Sequence, residues 1–349
     1  MTHEVRIGSR TVGTGHPTYI VAEISANHGG SLDRALELVR AAHAAGADAI
    51  KLQTYTADTL TLDSPADLFR VEGTLWSGRT LHELYTEAHT PWEWHQPIRE
   101  LARELELDCF STPFDATAVD FLETLDMPAY KIASFEIVDI PLLTRIAGTG
   151  KPVIMSTGMA TLEEIVEAVE AVRAAGTGGL ALLKCTSAYP APPDEVNLRT
   201  IGHLAETFDV PVGLSDHTLG IAVPVAAVAA GACIVEKHVT MARADGGPDS
   251  DFSLEPDEFK AMVDAIRVAE RAMGCVQYGV SDAEKSSRVF RRSLFVVKDV
   301  KEGEVLSDAH VRSIRPGHGL HPRHLSEVLG RRAACDVARG TPLRWDLVK

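Results

Sequence analysis

V-G-L-S-D-H-T-L-G (212–220), an alanine-rich segment, and then C-I-V-E-K-H-V-T (233–240) decide how this chain is read. Two apolar runs, each ending in a histidine, flank a run from Ala222 to Ala230 with helical character that starts just after Gly220. Strand, crossover helix and strand make a βαβ unit with parallel strands, so His217 and His238 are expected at the same end of neighbouring strands. α/β proteins keep their chemistry at that end.

Outward from this unit, apolar runs and helical patterns alternate with little interruption. Strands are expected at Tyr19–Ile24, Ala49–Gln53, Asp108–Ser111, Ala129–Ala133, Val153–Ser156 and Leu180–Cys185, before the opening pair. A helix runs from the N-cap Ser31 to Ala45 and stops at Gly46. Capping boxes are read at Thr90-Pro-Trp-Glu93, opening a helix to about Glu106, and at Thr161-Leu-Glu-Glu164, opening one through Ala175. Further helices are expected over Thr117–Leu125, Pro141–Ala147 and Pro256–Met273. Eight strand–helix units in series predict a (β/α)₈ TIM barrel. An open doubly wound sheet is the rival, but no G-x-G-x-x-G follows the first strand. The connection from Thr54 to about Arg79 is long enough to be a lid or binding segment, or a plain surface excursion.

With 45% hydrophobic and 6% aromatic residues among 349, the composition is that of a soluble globular enzyme. No signal peptide or membrane span is read, which points to the cytoplasm. Five cysteines (Cys109, Cys185, Cys233, Cys275 and Cys335) lack C-x-x-C spacing and suit reduced thiols. A net charge of −15 argues against a nucleic-acid partner. It is unevenly spread: Lys285–Lys349 holds 14 Lys+Arg against 7 Asp+Glu, so this tail is +7 and residues 1–284 carry −22. A boundary is expected there, with domains at 1–280 and 293–349 joined by a polar linker at 281–292.

Reactive residue types gather at the strand ends: Glu23; Lys51 with Gln53; Ser111-Thr112; Lys131 with Ser134 and Glu136; Ser156-Thr157; Lys184 with Thr186, Ser187 and Tyr189; Ser215-Asp216-His217; Glu236-Lys237-His238. A lysine inside an apolar strand is costly unless it pairs or meets an anion. Lysines ringed by hydroxyls favour an anionic ligand, a phosphate or carboxylate. The alternative is internal pairing of Lys51, Lys131, Lys184 and Lys237 with Glu23, Glu136 and Glu236, and for Lys184 and Lys237 both readings stay open. Schiff-base chemistry on a barrel lysine, as in a class I aldolase, competes. His217 and His238 suit one shared divalent ion or, alternatively, two satisfied buried imidazoles. Asp249 follows on a glycine-bounded turn, as a hydroxyl ligand or a solvated carboxylate.

Nearly the whole chain resembles the sialic acid synthases. The blocks are A-E-I-S-A-N-H-G-G (22–30), K-L-Q-T-Y-T (51–56), S-T-P-F-D (111–115), Y-K-I-A-S-F-E (130–136), S-T-G-M (156–159), K-C-T-S-A-Y-P-A-P (184–192), G-L-S-D-H-T (213–218), E-K-H-V-T (236–240) and G-P-D (247–249). The tail from Ser293, with I-R-P-G-H-G, is similar to the antifreeze-like (SAF) domain of those enzymes. The resemblance implies condensation of phosphoenolpyruvate with an open-chain amino sugar aldehyde, with Mn²⁺ or Mg²⁺ on residues matching His217 and His238. It implies phosphoenolpyruvate on Lys51, Thr112, Lys131, Ser134, Ser156 and Ser215, the sugar on Gln53, Glu136, Ser187, Tyr189 and Asp249, and Glu23 close to the reacting centre. It also implies a homodimer in which the C-terminal domain is swapped and Arg315 reaches the partner's sugar. Phe135 and Ser187-Ala188-Tyr189 depart from the N-acetylneuraminic pattern toward a less hydroxylated sugar, and K-C-T-S-A-Y-P-A-P (184–192), G-T-L-W-S-G-R-T (73–80) and F-S-L-E (252–255) look like the pseudaminic acid branch, whose sugar is 6-deoxy with two acetamido groups. The N-acetylneuraminic and legionaminic branches are the alternatives. A sugar-binding module without catalysis is a third.

Overall fold

The structure, a computed structural model, describes residues 4–349. It falls into two compact units that divide after Gly274.

In the first unit a hairpin, β1 (Glu4–Ile7) and β2 (Arg10–Gly13), precedes the barrel. Then follow β3 (Tyr19–Glu23), α1 (Leu32–Ala45), β4 (Ala49–Thr54), α2 (Ala57–Leu60), α3 (Leu81–Ala88), α4 (His95–Glu104), β5 (Asp108–Pro113) and α5 (Ala116–Thr124). The series continues with β6 (Tyr130–Ile132), α6 (Ile140–Ala147), β7 (Val153–Ser156), α7 (Leu162–Ala174), β8 (Leu180–Cys185), α8 (Thr200–Phe208), β9 (Val212–Asp216), α9 (Ala222–Ala229), β10 (Ile234–His238) and α10 (Pro256–Met273). β3 to β10 form a closed ring of eight parallel strands, with β10 pairing back onto β3, so the TIM barrel is confirmed.

Alternation in each strand fills the interior in layers. Val21, Ala49, Phe110, Ile154, Ala181 and Ile234 pack in the lower part of the ring. Val5, Ile7 and Val12 of the leading hairpin pack onto them, an element not expected from the sequence. Opposite-facing residues such as Ile20, Ile50, Met155 and Leu214 meet the helices and form the outer core.

Local chemistry sets the helix ends. Ser31 Oγ accepts from Arg34 N–H at 3.3 Å to open α1, and Gly46, at φ 91°, closes it. Thr161 and Glu164 cap α7 reciprocally, as expected. The box read at Thr90 is not formed. Pro91 stands at the N-cap of a short 3₁₀ turn without a side-chain cap, and α4 starts only at His95. A reciprocal box occurs instead at Thr80 and Glu83, opening α3.

The second unit pairs β11 (Ser293–Val296) antiparallel with β12 (Val311–Ile314) and adds the short α11 (Leu325–Val328). Its small core gathers Leu294, Val296, Val300, Leu306, Val311, Val328 and Leu343. A 3₁₀ segment, Asp282–Phe290, fills most of the span expected as linker. Among the described residues no helix is long and apolar enough to cross a membrane. All five cysteines are free, with Cys109, Cys185 and Cys233 buried.

Two glycines offer a test of this packing. A Cβ on Gly213 of β9 would lie 2.4 Å from Ile234 O and 2.7 Å from Leu183 Cδ2, whereas one on Gly202 of α8 meets nothing within 4 Å. Gly213→Ala is expected to destabilise the protein by about 1–3 kcal/mol through overpacking. Gly202→Ala is expected to stabilise it by about 0.5–1 kcal/mol. Denaturant unfolding monitored by circular dichroism would separate the two.

Candidate active site

At the C-terminal ends of the strands lies a cavity of about 400 Å³. Thirteen of the residues picked out in the sequence line it: Lys51, Gln53, Lys131, Ser134, Phe135, Glu136, Ser156, Tyr189, Ser215, His217, Glu236, His238 and Asp249. The strand registers bring them together. Ser215 pairs with Glu236, Asp216 with Lys237, and His238 with Glu23, which itself pairs with Lys51. The register that aligns β9 with β10 thus sets the two histidines at matched ends, with ring centroids 5.4 Å apart.

One side of the cavity holds two lysines among two carboxylates. Lys51 Nζ lies 2.5 Å from Glu23 Oε2 and donates to Glu236 Oε1 at 2.8 Å. Lys131 Nζ donates to Ser156 Oγ at 2.6 Å and to Ile132 O at 2.9 Å, and stands 4.0 Å from Glu236. Ser215 Oγ donates to Glu236 Oε1 at 2.9 Å. Burial pushes the Lys51 ammonium down to about 8, with Glu236 pulling it back. Burial would raise Glu236, but the charges of Lys131 and Lys51 outweigh it and hold this carboxylate well below its usual range. Both expected arrangements of Lys51 therefore coexist: it is internally paired and it faces the cavity. An anion arriving here meets two ammonium groups and the hydroxyls of Ser156 and Ser215.

Gly158 explains how further hydroxyls converge. A Cβ there would lie 2.5 Å from Ser134 Oγ and 2.6 Å from Ser187 Oγ, so only glycine leaves room for both. Thr112 is buried with an unpartnered Oγ1, and neither it nor Ser187 lines the cavity. Glu23 is fully buried below the lining, its Oε1 accepting from Ser25 N–H at 2.8 Å. Arg315 is an exposed residue of the second unit.

Across from the lysines stand the histidines. His217 Nδ1 faces Thr186 O at 3.1 Å and Cys185 Sγ at 3.8 Å, which leaves the other ring nitrogen for a ligand. His238 is buried with an unpartnered Nδ1, 4.0 Å from Asp249 Oδ2. Burial and the neighbouring charges of His217 and Lys51 keep its imidazole neutral. Among the described residues no group of three or more His, Cys, Asp or Glu is arranged to hold a metal. The two imidazoles, one with an orphaned buried nitrogen, suit a divalent ion whose other positions are filled by water or substrate.

Asp249 is no solvated carboxylate: Ser25 Oγ donates to its Oδ2. Behind the histidines, Lys237 Nζ is fully buried and donates to Asp216 Oδ2 at 2.5 Å and to Thr218 O. Lys184 points away from the cavity and donates to Cys185 O at 2.6 Å. Sequence reading missed Cys185 and Ser25 as cavity residues, and also the apolar wall of Tyr55, Leu60, Trp76, Leu84 and Phe114. Trp76 comes from a connection without periodicity, which carries no signal of where its side chain points, while Leu60 and Leu84 sit on the short helices α2 and α3 at either end of it and Phe114 follows β5.

The model of the NeuB family matches residues 38–278, and that of the SAF domain matches 291–349. A pseudaminic acid synthase of Campylobacter jejuni is 48% identical over 95% of this chain and 96% of its own. An N,N'-diacetyllegionaminic acid synthase of Legionella pneumophila is 38% identical, covering 98% of both chains. Among solved structures, an N-acetylneuraminic acid synthetase of Leptospira borgpetersenii in complex with citrate superposes with a TM-score of 0.74 at 31% identity, covering 82% of this chain and 95% of that one.

Glu136 gives a pH test of the cavity. Burial pushes its carboxyl up to about 7 from an ordinary 4.5, with Lys131 pulling it down, and its Oε2 has no partner. A raised carboxyl contributes stability below its unfolded value that is lost as pH rises through the folded one. Glu136→Gln is therefore expected to gain stability over the parent between pH ~4.5 and ~7, on the order of 2 kcal/mol. Urea unfolding of both proteins at pH 5, 6, 7 and 8 checks this; a constant difference would contradict it.

Proposed function

This chain belongs to the NeuB family, and on that premise we propose that it condenses phosphoenolpyruvate with 2,4-diacetamido-2,4,6-trideoxy-L-altrose and water, giving pseudaminic acid and phosphate. The observation that carries the reading is one cavity with two ammonium groups and serine hydroxyls on one side and two imidazoles beside them. The 48% identity to a pseudaminic acid synthase supports this sugar over that of the 38% identical legionaminic relative.

In this reading Lys51, Lys131, Ser134, Ser156 and Ser215, with Thr112 beneath, hold the phosphate and carboxylate of phosphoenolpyruvate. Glu23 and Glu236 hold the Lys51 ammonium in place by ion pairs at 2.5 and 2.8 Å. His217 and His238 would hold Mn²⁺ or Mg²⁺, which when bound polarises the sugar aldehyde as a Lewis acid. Gln53, Glu136, Tyr189 and Asp249 orient the sugar so that its C1 faces C3 of the enol. A C–C bond forms between those atoms, water adds at C2, and phosphate departs with cleavage of the C2–O bond. Free cysteines throughout suit a cytoplasmic enzyme. The assembly we propose is a homodimer in which the partner's Arg315 meets the sugar.

Phosphate release from phosphoenolpyruvate with Mn²⁺ and each candidate sugar, together with product mass, tests the reading. Turnover is expected with the trideoxy diacetamido sugar, and its absence there would refute the assignment. Chelation should abolish activity and Mn²⁺ restore it. His217→Ala should lower kcat by about a thousandfold, the scale of several kcal/mol of Lewis-acid stabilisation, without rescue by added metal. Full activity in excess chelator, with borohydride trapping of substrate on a lysine, would instead indicate an aldolase. Arg315→Ala is expected to raise the sugar KM about tenfold or more, as loss of a charge-assisted contact does. An unchanged KM would remove Arg315 from the site.

A further inference from the structure

The segment between α2 and α3 folds into a strap with its own internal bonds. Val71 N–H donates to Arg79 O at 2.9 Å, and Gly78 N–H donates to Val71 O at 3.0 Å. At its tip, Thr74 N–H donates to Ser77 Oγ at 3.0 Å, and Ser77 Oγ donates back to Thr74 O at 2.8 Å. From that tip Trp76 turns into the cavity. Its indole N–H donates to Pro248 O at 2.8 Å, and its ring lies 5.6 Å from that of Tyr189, which in turn lies 4.4 Å from His217.

Two consequences follow from these contacts. The only polar atom of Trp76 is already spent on a backbone carbonyl, so its ring presents only apolar surface to a ligand. Leu60, Val71, Leu81 and Leu84 of the strap and its flanking helices also line the cavity, together with Thr74 and Tyr85. A sugar whose aldehyde faces the histidines and lysines at the polar side must turn its far end toward this wall. A hydroxyl packed against the Trp76 ring would lose water without gaining a partner from it, whereas a methyl group is desolvated favourably.

We infer that Trp76 is a specificity-determining residue of the sugar site, forming a latched apolar wall that selects a deoxygenated far carbon over a hydroxymethyl group. The inference deepens the reading under Proposed function and rests on it for the orientation of the sugar. Discrimination by an apolar pocket at one carbon is about 10- to 100-fold.

The test compares the parent protein, Trp76→Phe and Trp76→Gln. Phenylalanine keeps the apolar face and loses the latch, while glutamine keeps an N–H for Pro248 O but places an amide on the cavity. Each is assayed by phosphate release with the 6-deoxy diacetamido sugar and with its 6-hydroxy counterpart, at saturating phosphoenolpyruvate and Mn²⁺. The parent and Trp76→Phe are expected to prefer the deoxy sugar in kcat/KM by about 10-fold or more. In Trp76→Gln that preference should fall to about twofold, through the sugar KM, with the KM for phosphoenolpyruvate unchanged. A preference in Trp76→Gln equal to the parent's, or a parallel rise in the KM for phosphoenolpyruvate, would overturn the inference. If the parent turns over neither sugar, the proposed function fails. The variants are then compared on whichever acetamido sugar the parent accepts, and an unchanged sugar KM in Trp76→Gln overturns the inference separately.

Discussion

Pairing of β10 with β3 closes the barrel, and the mouth of the cavity depends on that closure. It sets Glu23 beside His238 although more than two hundred residues separate them in the chain. Contacts of such sequence separation carry a loop-closure cost that grows only slowly with length, and they slow folding. Once formed, the ring leaves each strand a single choice of which side chains face inward, since a one-residue slip would turn Lys51 out and Ile50 in. The buried charges reinforce that choice. A buried ammonium without partners costs several kcal/mol, so Lys51 is tolerable only where Glu23 and Glu236 both meet it.

The same logic separates the lysines that face the cavity from those that do not. Lys51 and Lys131 occupy inward positions of β4 and β6. Lys184 and Lys237 fall on the outward phase of β8 and β10, and Lys237 finds Asp216, one strand over and also outward. That outward pair joins β9 to β10 directly behind His217 and His238. Charges on opposite faces of the same two strands thus have different work: one set faces a ligand and the other ties the strand ends together.

Much of this was legible in the sequence because strands announce themselves by short apolar runs and the barrel repeats one unit eight times. The boundaries of β7 and β8 and the span of α1 are those read from residues alone. Once the period-two phase is applied, residues such as Ser215 and His217 group themselves. What escaped reading lacks a period. The leading hairpin is too short to be distinguished from a turn, and Thr90 has the residues of a cap but lies buried at a 3₁₀ entrance. Trp76 belongs to a connection whose direction is fixed by its own backbone bonds and by Pro248, which no local pattern encodes. Asp249 was undecided for the same reason: its partner, Ser25, is fixed only when the ring closes.

The cavity is assembled from two kinds of chain. Its charged side comes from the ends of strands locked in a ring, where any change of position disturbs neighbours on both sides. The strap carrying Trp76 is a contiguous segment, cross-bonded to itself and held to the barrel loops through the Trp76 indole, by its hydrogen bond to Pro248 and its ring contact with Tyr189. In evolutionary terms the strap is a replaceable part: a gene segment of about twenty codons can be exchanged between relatives while the strand ends stay untouched. Divergence in what the cavity accepts can therefore proceed without renegotiating the chemistry beneath it.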